Sequence, residues 1–270
     1  MVKVVCLPIT KKDMIINNDN KNINHKNKNH KNSSKHYIVK KEVDNVTLKY
    51  SRASLIIIEE SYDNGNGRNE PAIILFYCEK WNTFVEPGGR IEKLDMELDD
   101  LLVETAKREL SEETLNSICV DISTLKSSMY IDFKDTKTKM YSRVFTIGIK
   151  GNQFDKNIYY DNKEIISKSN APIVWKETTN VERFYISDIV NSINGMGYEY
   201  NKSDNILCKN VNGGLRNIYY RTIGMLEQLI NENLTITALV EPKEMVSYDF
   251  CSNKFSDKFL MGTKTFGIKV

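Results

Sequence analysis

The sequence predicts an α/β sandwich, an α/β or α+β protein in which helices cover a mixed β-sheet. Two observations carry this prediction. Short runs of apolar and β-branched residues, typical of buried strands, recur between residues 54 and 175. Two longer segments, residues 98–115 and 217–233, instead repeat their apolar residues at helical spacing. Strands that alternate with substantial helices favour a layered architecture.

The first two strands are expected at residues 54–58 and 72–78, which are short apolar runs. The turn-forming residues 63–67 lie between them and predict a β-hairpin. A Pro-Gly-Gly break at residues 87–89 then ends this strand region. Further strands are expected at residues 129–133, 141–150 and 171–175.

The first predicted helix, residues 98–115, places four apolar side chains within about 100° of one another. These are Leu102, Val103, Ala106 and Leu110. Residues 217–233 form the second amphipathic segment. Residues 184–186 are expected to be a strand that passes into a short helix at 187–190, with Ser187 as its N-cap.

Composition limits the kinds of protein that this chain can be. Its 270 residues are 40% hydrophobic and 27% charged with a net charge of +2, as in ordinary soluble globular proteins. No apolar run approaches the roughly 18 residues that a membrane span needs. Five scattered cysteines without a C-x-x-C pair indicate neither a disulfide framework nor a zinc site. We therefore expect a cytoplasmic protein in a reducing compartment, without a membrane partner.

The distribution of histidine excludes several kinds of catalytic site. His25, His30 and His36 all fall within residues 17–36, an Asn/Lys-rich stretch with the composition of a disordered loop. Without an ordered histidine, Ser-His-Asp, Cys-His and histidine-ligated zinc chemistry each lack a central residue. An active site in this chain must therefore depend on carboxylates.

The chain is expected to contain one principal domain with additions at both ends. The predicted segments are an N-terminal strand in residues 1–16, a disordered insertion at 17–36, the domain at 37–240 and a C-terminal extension at 241–270.

The first predicted helix carries a group of acidic residues. Glu109, Glu112 and Glu113 lie within about one and a quarter turns and span about 100° of the helix. Glu109 and Glu113 repel each other as i,i+4 neighbours, and Arg108 offsets only part of this charge. Carboxylates are the ligands that Mg²⁺ and Mn²⁺ prefer, so the group indicates a divalent-metal site. The alternative is an ordinary solvated helix face.

Residues 88–116 resemble the Nudix box, G-x5-E-x7-R-E-U-x-E-E-x-G-U, in which U is a bulky apolar residue. Gly89 matches the opening glycine, residues 108–110 match R-E-U, and residues 112–113 match E-E. The preceding W-x-x-F-x-x-P-G-G at residues 81–89 is also typical of the strand before the box in this family.

The sequence departs from the Nudix pattern at two places. Eighteen residues separate Gly89 from Arg108 where the pattern has thirteen, which indicates a five-residue insertion. Counted back from Arg108, the upstream acidic position holds Asp100, with Glu97 as an alternative. After the glutamates, residues 114–116 read Thr-Leu-Asn and lack the glycine of the pattern.

The resemblance implies a Nudix-like α/β/α sandwich and a metal-dependent pyrophosphohydrolase. Glu109, Glu112 and Glu113 would bind Mg²⁺ or Mn²⁺, and Arg108 would orient Glu112 or a loop carboxylate. The implied catalytic residues are Glu112, Glu109, Arg108 and Glu177, and the implied substrate-binding residues are Gly88, Gly89 and Glu92.

A further carboxylate is expected from the loop at residues 176–184, which resembles the K-E-x4-E-W stretch of the family. Glu177 is the first choice for this role and Glu182 the reserve. The alternative is that both are ordinary solvated loop residues.

The substrate implied by the family is a nucleoside diphosphate linked to another group. The mRNA 5′ cap, cleaved with release of m7GDP, is the leading candidate because the chain is long, residues 176–184 resemble decapping enzymes, and residues 21–41 hold seven lysines and no acid. Insertions and AT-rich coding bias are alternative explanations. Alternative functions are hydrolysis of free nucleotides, ADP-ribose or dinucleoside polyphosphates, and non-catalytic binding of nucleotide or RNA.

The sequence leaves the oligomeric state open.

Four aromatic residues near the motif are expected to lie in the core rather than to stack on a base. They are Trp81, Phe84, Tyr141 and Trp175.

Overall fold

A computed structural model describes most of the chain between residues 37 and 231. The described residues are 15–16, 37–43, 46–93, 95, 100–150, 152–195, 205–231 and 239–240. A large mixed β-sheet forms the centre, and helices cover both of its faces. The predicted α/β/α arrangement is therefore confirmed.

Twelve strands are described. They are β1 Ile15–Ile16, β2 Val39–Val43, β3 Val46–Asp63, β4 Asn69–Cys78, β5 Thr83–Val85, β6 Gly88–Arg90, β7 Tyr130–Lys134, β8 Tyr141–Ile149, β9 Thr178–Tyr185, β10 Ile206–Lys209, β11 Leu215–Ile218 and β12 Leu239–Val240.

Strand β3 lies at the centre of the sheet and joins its parts. It pairs antiparallel with β4 through the expected hairpin, and parallel with β8. Strand β9 adds antiparallel to β4, and β7 adds antiparallel to β8. The start of β3 pairs antiparallel with β2, and its residues 52–54 pair with β6, which places Gly88 opposite Ser54 and Gly89 opposite Ala53. This last pairing holds the Pro-Gly-Gly segment against the sheet.

Five α-helices and one 3₁₀ helix are described. They are α1 Leu101–Glu113, α2 Ile122–Ser127, α3 Lys156–Ser167, the 3₁₀ helix Ile173–Lys176, α4 Ile186–Gly195 and α5 Tyr220–Asn231. None of the helices in the described ranges is long and apolar enough to cross a membrane.

The two faces of the sheet are packed by alternate residues of the same strands, as strand geometry requires. In β3, Leu55 and Ile57 point to the side of α1 and α3, whereas Ile56 and Ile58 point to the side of α4 and α5. All four are fully buried. Burial on both faces explains why the strand reads as a continuous apolar run rather than an alternating one.

Helix α1 packs its apolar stripe onto the first of these faces. Leu102, Val103, Ala106 and Leu110 are all buried there, as expected from their spacing. Each buried leucine side chain contributes about 1.5–3 kcal/mol through removal of its apolar surface from water. This packing fixes the rotation of α1 about its own axis and so fixes the direction of its acidic residues.

The strand expected at residues 171–175 is wrong. Pro172 lacks an N–H for a sheet, and the Trp175 N–H donates to the Pro172 carbonyl at 3.1 Å, which turns the chain into the 3₁₀ helix. Trp175 is buried in the α1 face of the core. The strand begins only at Thr178, where pairing with β4 starts.

Two helix starts also differ from the prediction. Helix α4 begins at Ile186. The Ser187 hydroxyl donates to Glu70 and accepts from Arg68 instead of capping a helix N-terminus. The segment expected as one helix at 217–233 is divided, because Ile218 ends strand β11 and α5 begins at Tyr220.

The aromatic residues expected in the core separate into two groups. Phe84 and Trp175 are buried, and the half-buried Tyr141 packs against the core. Trp81, by contrast, is 39% exposed, so its expected core position is wrong.

Most of the predicted terminal segments lie outside the described residues. Strand β1 falls within the predicted N-terminal strand and pairs antiparallel with β2. The three histidines, residues 17–36 and residues 241–270 are not among the described residues, so these parts of the predicted organisation stay predictions.

Candidate active site

The acidic residues of α1 are buried rather than solvated. Arg108, Glu109, Glu112 and Glu113 are each less than 10% exposed, although they occupy the last turns of the helix. An ordinary solvated helix face would leave them in water. Burial of charged groups is unfavourable unless they are paired or bind an ion, so the alternative of a solvated face does not hold.

Arg108 lies at the centre of the charged group. Its guanidinium donates to Glu109 at 2.7 Å and to Glu112 at 3.2 Å. It also donates to Asp95 at 3.0 Å and to the Arg90 carbonyl at 2.8 Å. Because guanidinium nitrogens form a rigid planar fork, these contacts fix the positions of the neighbouring carboxylates. Arg108 thus contacts Glu112, the residue that the resemblance implied it would orient, and the role itself stays a prediction.

Asp95 is the acidic partner that sequence reasoning missed. It is fully buried and accepts from Arg108, from the Thr105 hydroxyl at 3.0 Å and from the Glu92 N–H at 2.8 Å. Counted forward from Gly89, Asp95 stands at the acidic position of G-x5-E, so the extra residues lie after it. The insertion lies between Asp95 and Arg108. A count back from Arg108 therefore reaches Asp100 instead of Asp95.

Asp100, the residue selected by the count back from Arg108, does not fill this position. Asp100 lies just before α1, and its carboxylate is 4.0 Å from the Lys126 ammonium rather than on Arg108. Glu97 lies outside the described residues.

Glycine is needed at residues 88 and 89 because neighbouring side chains approach the backbone closely, rather than because the chain turns there. A Cβ on Gly89 would lie 2.0 Å from Glu109 Oε1, and one on Gly88 would lie 2.1 Å from Ser54 Oγ. The Gly88 N–H also donates to Glu113 Oε2 at 2.9 Å. The absence of side chains therefore lets β6 lie directly against the carboxylates of α1.

The buried carboxylates have raised pKa values. Burial and the neighbouring Glu109 raise the pKa of Glu112 to about 8. The same two causes raise the pKa of Glu113 well above its usual range. Burial raises the pKa of Glu109, although Arg108 and Arg52 act in the opposite direction. Burial, which disfavours the charged form, is thus the largest cause of all three shifts.

Two arginines from other elements lie near the acidic residues of α1. Arg52 on β3 donates to the Gly88 carbonyl at 2.6 Å. Arg221 on α5 donates to the Ser142 hydroxyl at 2.8 Å and lies 3.0 Å from Asp135. Burial and the nearby Arg52 lower the pKa of Arg221. The sequence motif predicts neither Arg52 nor Arg221, because both lie on elements far from it in the chain.

The structure separates the two loop carboxylates. Glu177 directly precedes Thr178, whose hydroxyl donates to the Glu113 carbonyl at 2.8 Å. Glu182 instead accepts from Arg216 at 2.9 Å and lies on the opposite side of β9 from Val181, which packs on the α1 face. The backbone of Glu177 therefore lies close to the last turn of α1, and Glu182 points away from that face.

Glu92 lies at the exposed rim of the site. Its charge contributes to the raised pKa values of Glu109 and Glu112, although burial is the larger cause. The sequence-predicted residues Gly88, Gly89 and Glu92 therefore all adjoin the acidic residues of α1.

Helix α1 ends in the conformation that the missing glycine would favour. Leu115 stands where the pattern has glycine and has a φ of 53°, followed by Asn116 with a φ of 58°. A non-glycine residue in this left-handed region costs roughly 1–2 kcal/mol. Leu115 is buried in the core on the α1 side, so its packing offsets this strain.

The carboxylates are engaged with the protein itself. Glu109 and Glu112 accept from Arg108, and Glu113 accepts from Gly88. In this arrangement no group of three or more His, Cys, Asp or Glu side chains among the described residues is set to hold a metal ion. The chemistry of the donors nevertheless fits a hard divalent cation, because all three are carboxylates.

Comparison with solved structures gives distant similarities. No family model and no curated protein matches the sequence. The chain is similar to a solved MutT/nudix family protein from Enterococcus faecalis, with 10% identity and a TM-score of 0.33. The match covers 67% of this chain and 62% of that protein, so it spans less than two thirds of the neighbour's length. A similarity this distant establishes neither family nor activity, and the site rests on its own geometry.

Proposed function

We propose that this protein is a metal-dependent pyrophosphohydrolase that cleaves the diphosphate linkage of nucleoside diphosphate derivatives. The observation that carries the proposal is the burial of Glu109, Glu112 and Glu113 on one end of α1, with raised pKa values, against the bare backbone of Gly88 and Gly89. Buried carboxylates in excess of their cations are stabilised by a divalent cation.

Glu109, Glu112 and Glu113 would hold Mg²⁺ or Mn²⁺. Bound there, the metal supplies neutralisation of phosphate charge and activation of a water molecule. Arg108, fixed by Asp95, keeps Glu109 and Glu112 in position. The Gly88 N–H holds Glu113, and Glu177 is the adjacent carboxylate available as a further ligand or base.

Such a site suits phosphoryl chemistry in particular. Hydrolysis of a phosphoanhydride depends mainly on positioning and electrostatic stabilisation, and it needs no histidine. The described residues around α1 offer carboxylates, guanidinium groups and a glycine backbone, which are the groups that such a reaction uses.

Within this class, the mRNA cap is the substrate that the sequence favours. Its support is the lysine-rich segment 21–41 and the likeness of residues 176–184 to decapping enzymes. Most of the lysine-rich segment lies outside the described residues. Cap cleavage is therefore a proposal on the sequence alone, with free nucleotides, ADP-ribose and dinucleoside polyphosphates as the alternatives.

A product screen with the full chain tests the function. The protein is incubated with Mg²⁺ or Mn²⁺ and with capped RNA, NTPs, dNTPs, NAD, ADP-ribose or dinucleoside polyphosphates, and the products are separated by chromatography. We expect cleavage of a phosphoanhydride that stops in EDTA, and release of m7GDP if the cap is the substrate. Binding without cleavage of any compound would instead identify a non-catalytic nucleotide- or RNA-binding protein.

A further inference from the structure

A tight turn between β4 and β5 presents Trp81 at the protein surface. The Trp81 N–H donates to the Cys78 carbonyl at 3.3 Å, and the Asn82 N–H donates to the Glu79 carbonyl at 3.2 Å. Asn82 completes the turn with a φ of 51°. These contacts hold the indole in a position where 39% of the residue is exposed, although a tryptophan gains more from burial than any other side chain.

The exposed indole is stacked on a second aromatic ring. The rings of Trp81 and Tyr219 are almost parallel, with an angle of 8° and a distance of 5.1 Å between centroids. Tyr219 is fixed by its N–H, which donates to the Phe84 carbonyl at 2.9 Å, and by Tyr220, whose ring lies 4.6 Å away. The two rings therefore come from separate segments and form a preset flat surface.

The segment that carries Tyr219 continues directly into the charged groups of the candidate active site. Arg221 lies next to Arg52, and the Thr222 hydroxyl donates to Glu86. Arg52 donates to the Gly88 carbonyl, and the Gly88 N–H holds Glu113. The aromatic pair is thus adjacent in the chain to Arg221, and Arg52 contacts the glycine segment that holds the acidic residues of α1.

We propose that Trp81 and Tyr219 form the subsite for an aromatic ring of the substrate, with Arg52 and Arg221 as counter-charges for the phosphates between that ring and the acidic residues. Stacking on an indole suits any nucleobase, because every base has a π-face. Guanidinium groups are well suited to phosphate. The inference rests on the proposed function and narrows it to substrates that carry a base.

Binding measurements without hydrolysis test this subsite. Wild-type protein is titrated with ADP, GDP, CDP or UDP, and with inorganic pyrophosphate, while tryptophan fluorescence is recorded. Because Trp175 is buried, the exposed Trp81 is expected to dominate any quenching. We expect quenching by at least one nucleoside diphosphate and none by pyrophosphate. Absence of quenching by all four nucleotides would overturn the proposal.

Substitutions then distinguish the loss of ring stacking from a general disruption of the protein. Affinities are measured by calorimetry. Trp81→Ala should weaken binding of the nucleoside diphosphate by on the order of 10- to 100-fold and leave pyrophosphate binding unchanged. Trp81→Phe should restore most of the affinity. Leu207→Ala, at another exposed apolar residue, is the control and should change neither. Equal weakening of both ligands by Trp81→Ala would contradict a base subsite.

The test of the base subsite does not depend on whether the protein hydrolyses a diphosphate. If the nucleotides bind through Trp81 but no diphosphate is cleaved, the proposed hydrolysis fails and the base subsite stands. If cleavage occurs and Trp81→Ala has the kcat and KM of the wild type on every substrate, the subsite is wrong and the proposed function stands.

Discussion

The guanidinium of Arg108 organises the candidate site at the level of single residues. It contacts Asp95, Glu109 and Glu112 at once, and all of these groups are buried. A buried arginine surrounded by carboxylates serves as an orienting group, because its own charge is already satisfied by the protein. In the proposed base subsite, the substrate phosphates would instead face Arg52 and Arg221.

Gly89→Ala tests the close approach between β6 and α1. The new Cβ would lie 2.0 Å from Glu109 Oε1, so the strand or the glutamate must move. We expect a loss of about 1–3 kcal/mol in the free energy of unfolding, as for other overpacked sites, together with reduced hydrolysis. Chemical denaturation measures the first effect and the hydrolysis assay the second.

Gly195→Ala is the matched control for this substitution. Nothing lies within 4 Å of a Cβ at that position, at the end of α4. Its stability should stay within about 0.5 kcal/mol of the wild type. If Gly89→Ala behaves like Gly195→Ala, the proposed contact between β6 and the carboxylates is wrong.

The connection between β6 and α1 has a defined role at the level of elements. Asp95 joins the two through Arg108, Thr105 and the backbone of Glu92, although the connection is longer than in the Nudix pattern. An insertion placed after Asp95 lengthens the connection without moving this contact. The contacts of Asp95 are thus kept although the insertion departs from the linear pattern.

Asp95→Ala should damage both stability and activity. Loss of one partner from a buried ion pair leaves Arg108 uncompensated, which typically costs about 3–5 kcal/mol. Loss of an outer residue that orients metal ligands lowers metal affinity or activity by about 10- to 100-fold. Calorimetric titration with Mn²⁺ and urea denaturation measure the two effects.

Asp100→Ala provides the comparison, because it removes the acid that the linear count selected. Its only ion-pair partner among the described residues is Lys126 at 4.0 Å, so the change in stability should stay below about 1 kcal/mol. Equal effects of the two substitutions would show that Asp95 has no special role.

The sequence predicted the elements that are buried on both faces and missed those that are mostly polar. Strands β3, β4 and β8 were predicted because their apolar runs are continuous. Helix α3 was not, since only Tyr159 and Ile166 of its twelve residues are buried and its apolar period is weak. The 3₁₀ helix Ile173–Lys176 was mistaken for a strand because a short apolar run does not distinguish the two.

The site itself was predicted as far as it is local in sequence. Glu109, Glu112 and Glu113 follow from their spacing on one helix, and the Pro-Gly-Gly segment follows from the motif. Arg52 and Arg221 were not predicted, because only the folded sheet brings β3 and α5 together. Their contribution depends on tertiary structure that no linear pattern contains.

The whole molecule should respond to a divalent cation. A ligand that binds only the native state adds about 2.7 kcal/mol of stability at 100 times its Kd. We therefore expect Mn²⁺ to raise the melting temperature of the full chain by several degrees, measured by differential scanning calorimetry. The double variant Glu112→Gln, Glu113→Gln should melt at or above the wild-type temperature without metal and should lose the response to Mn²⁺.

The proposed function requires that the buried carboxylates of α1 support metal-dependent cleavage of a diphosphate. The most direct measurement is the rate of phosphoanhydride hydrolysis by wild-type protein, Glu112→Gln and Glu113→Gln, each with and without Mn²⁺. We predict cleavage by the wild type only when metal is present, and a loss of at least about 100-fold in each variant, as for removal of a group that acts in the transition state. Wild-type turnover in both variants, with folding intact, would contradict the account.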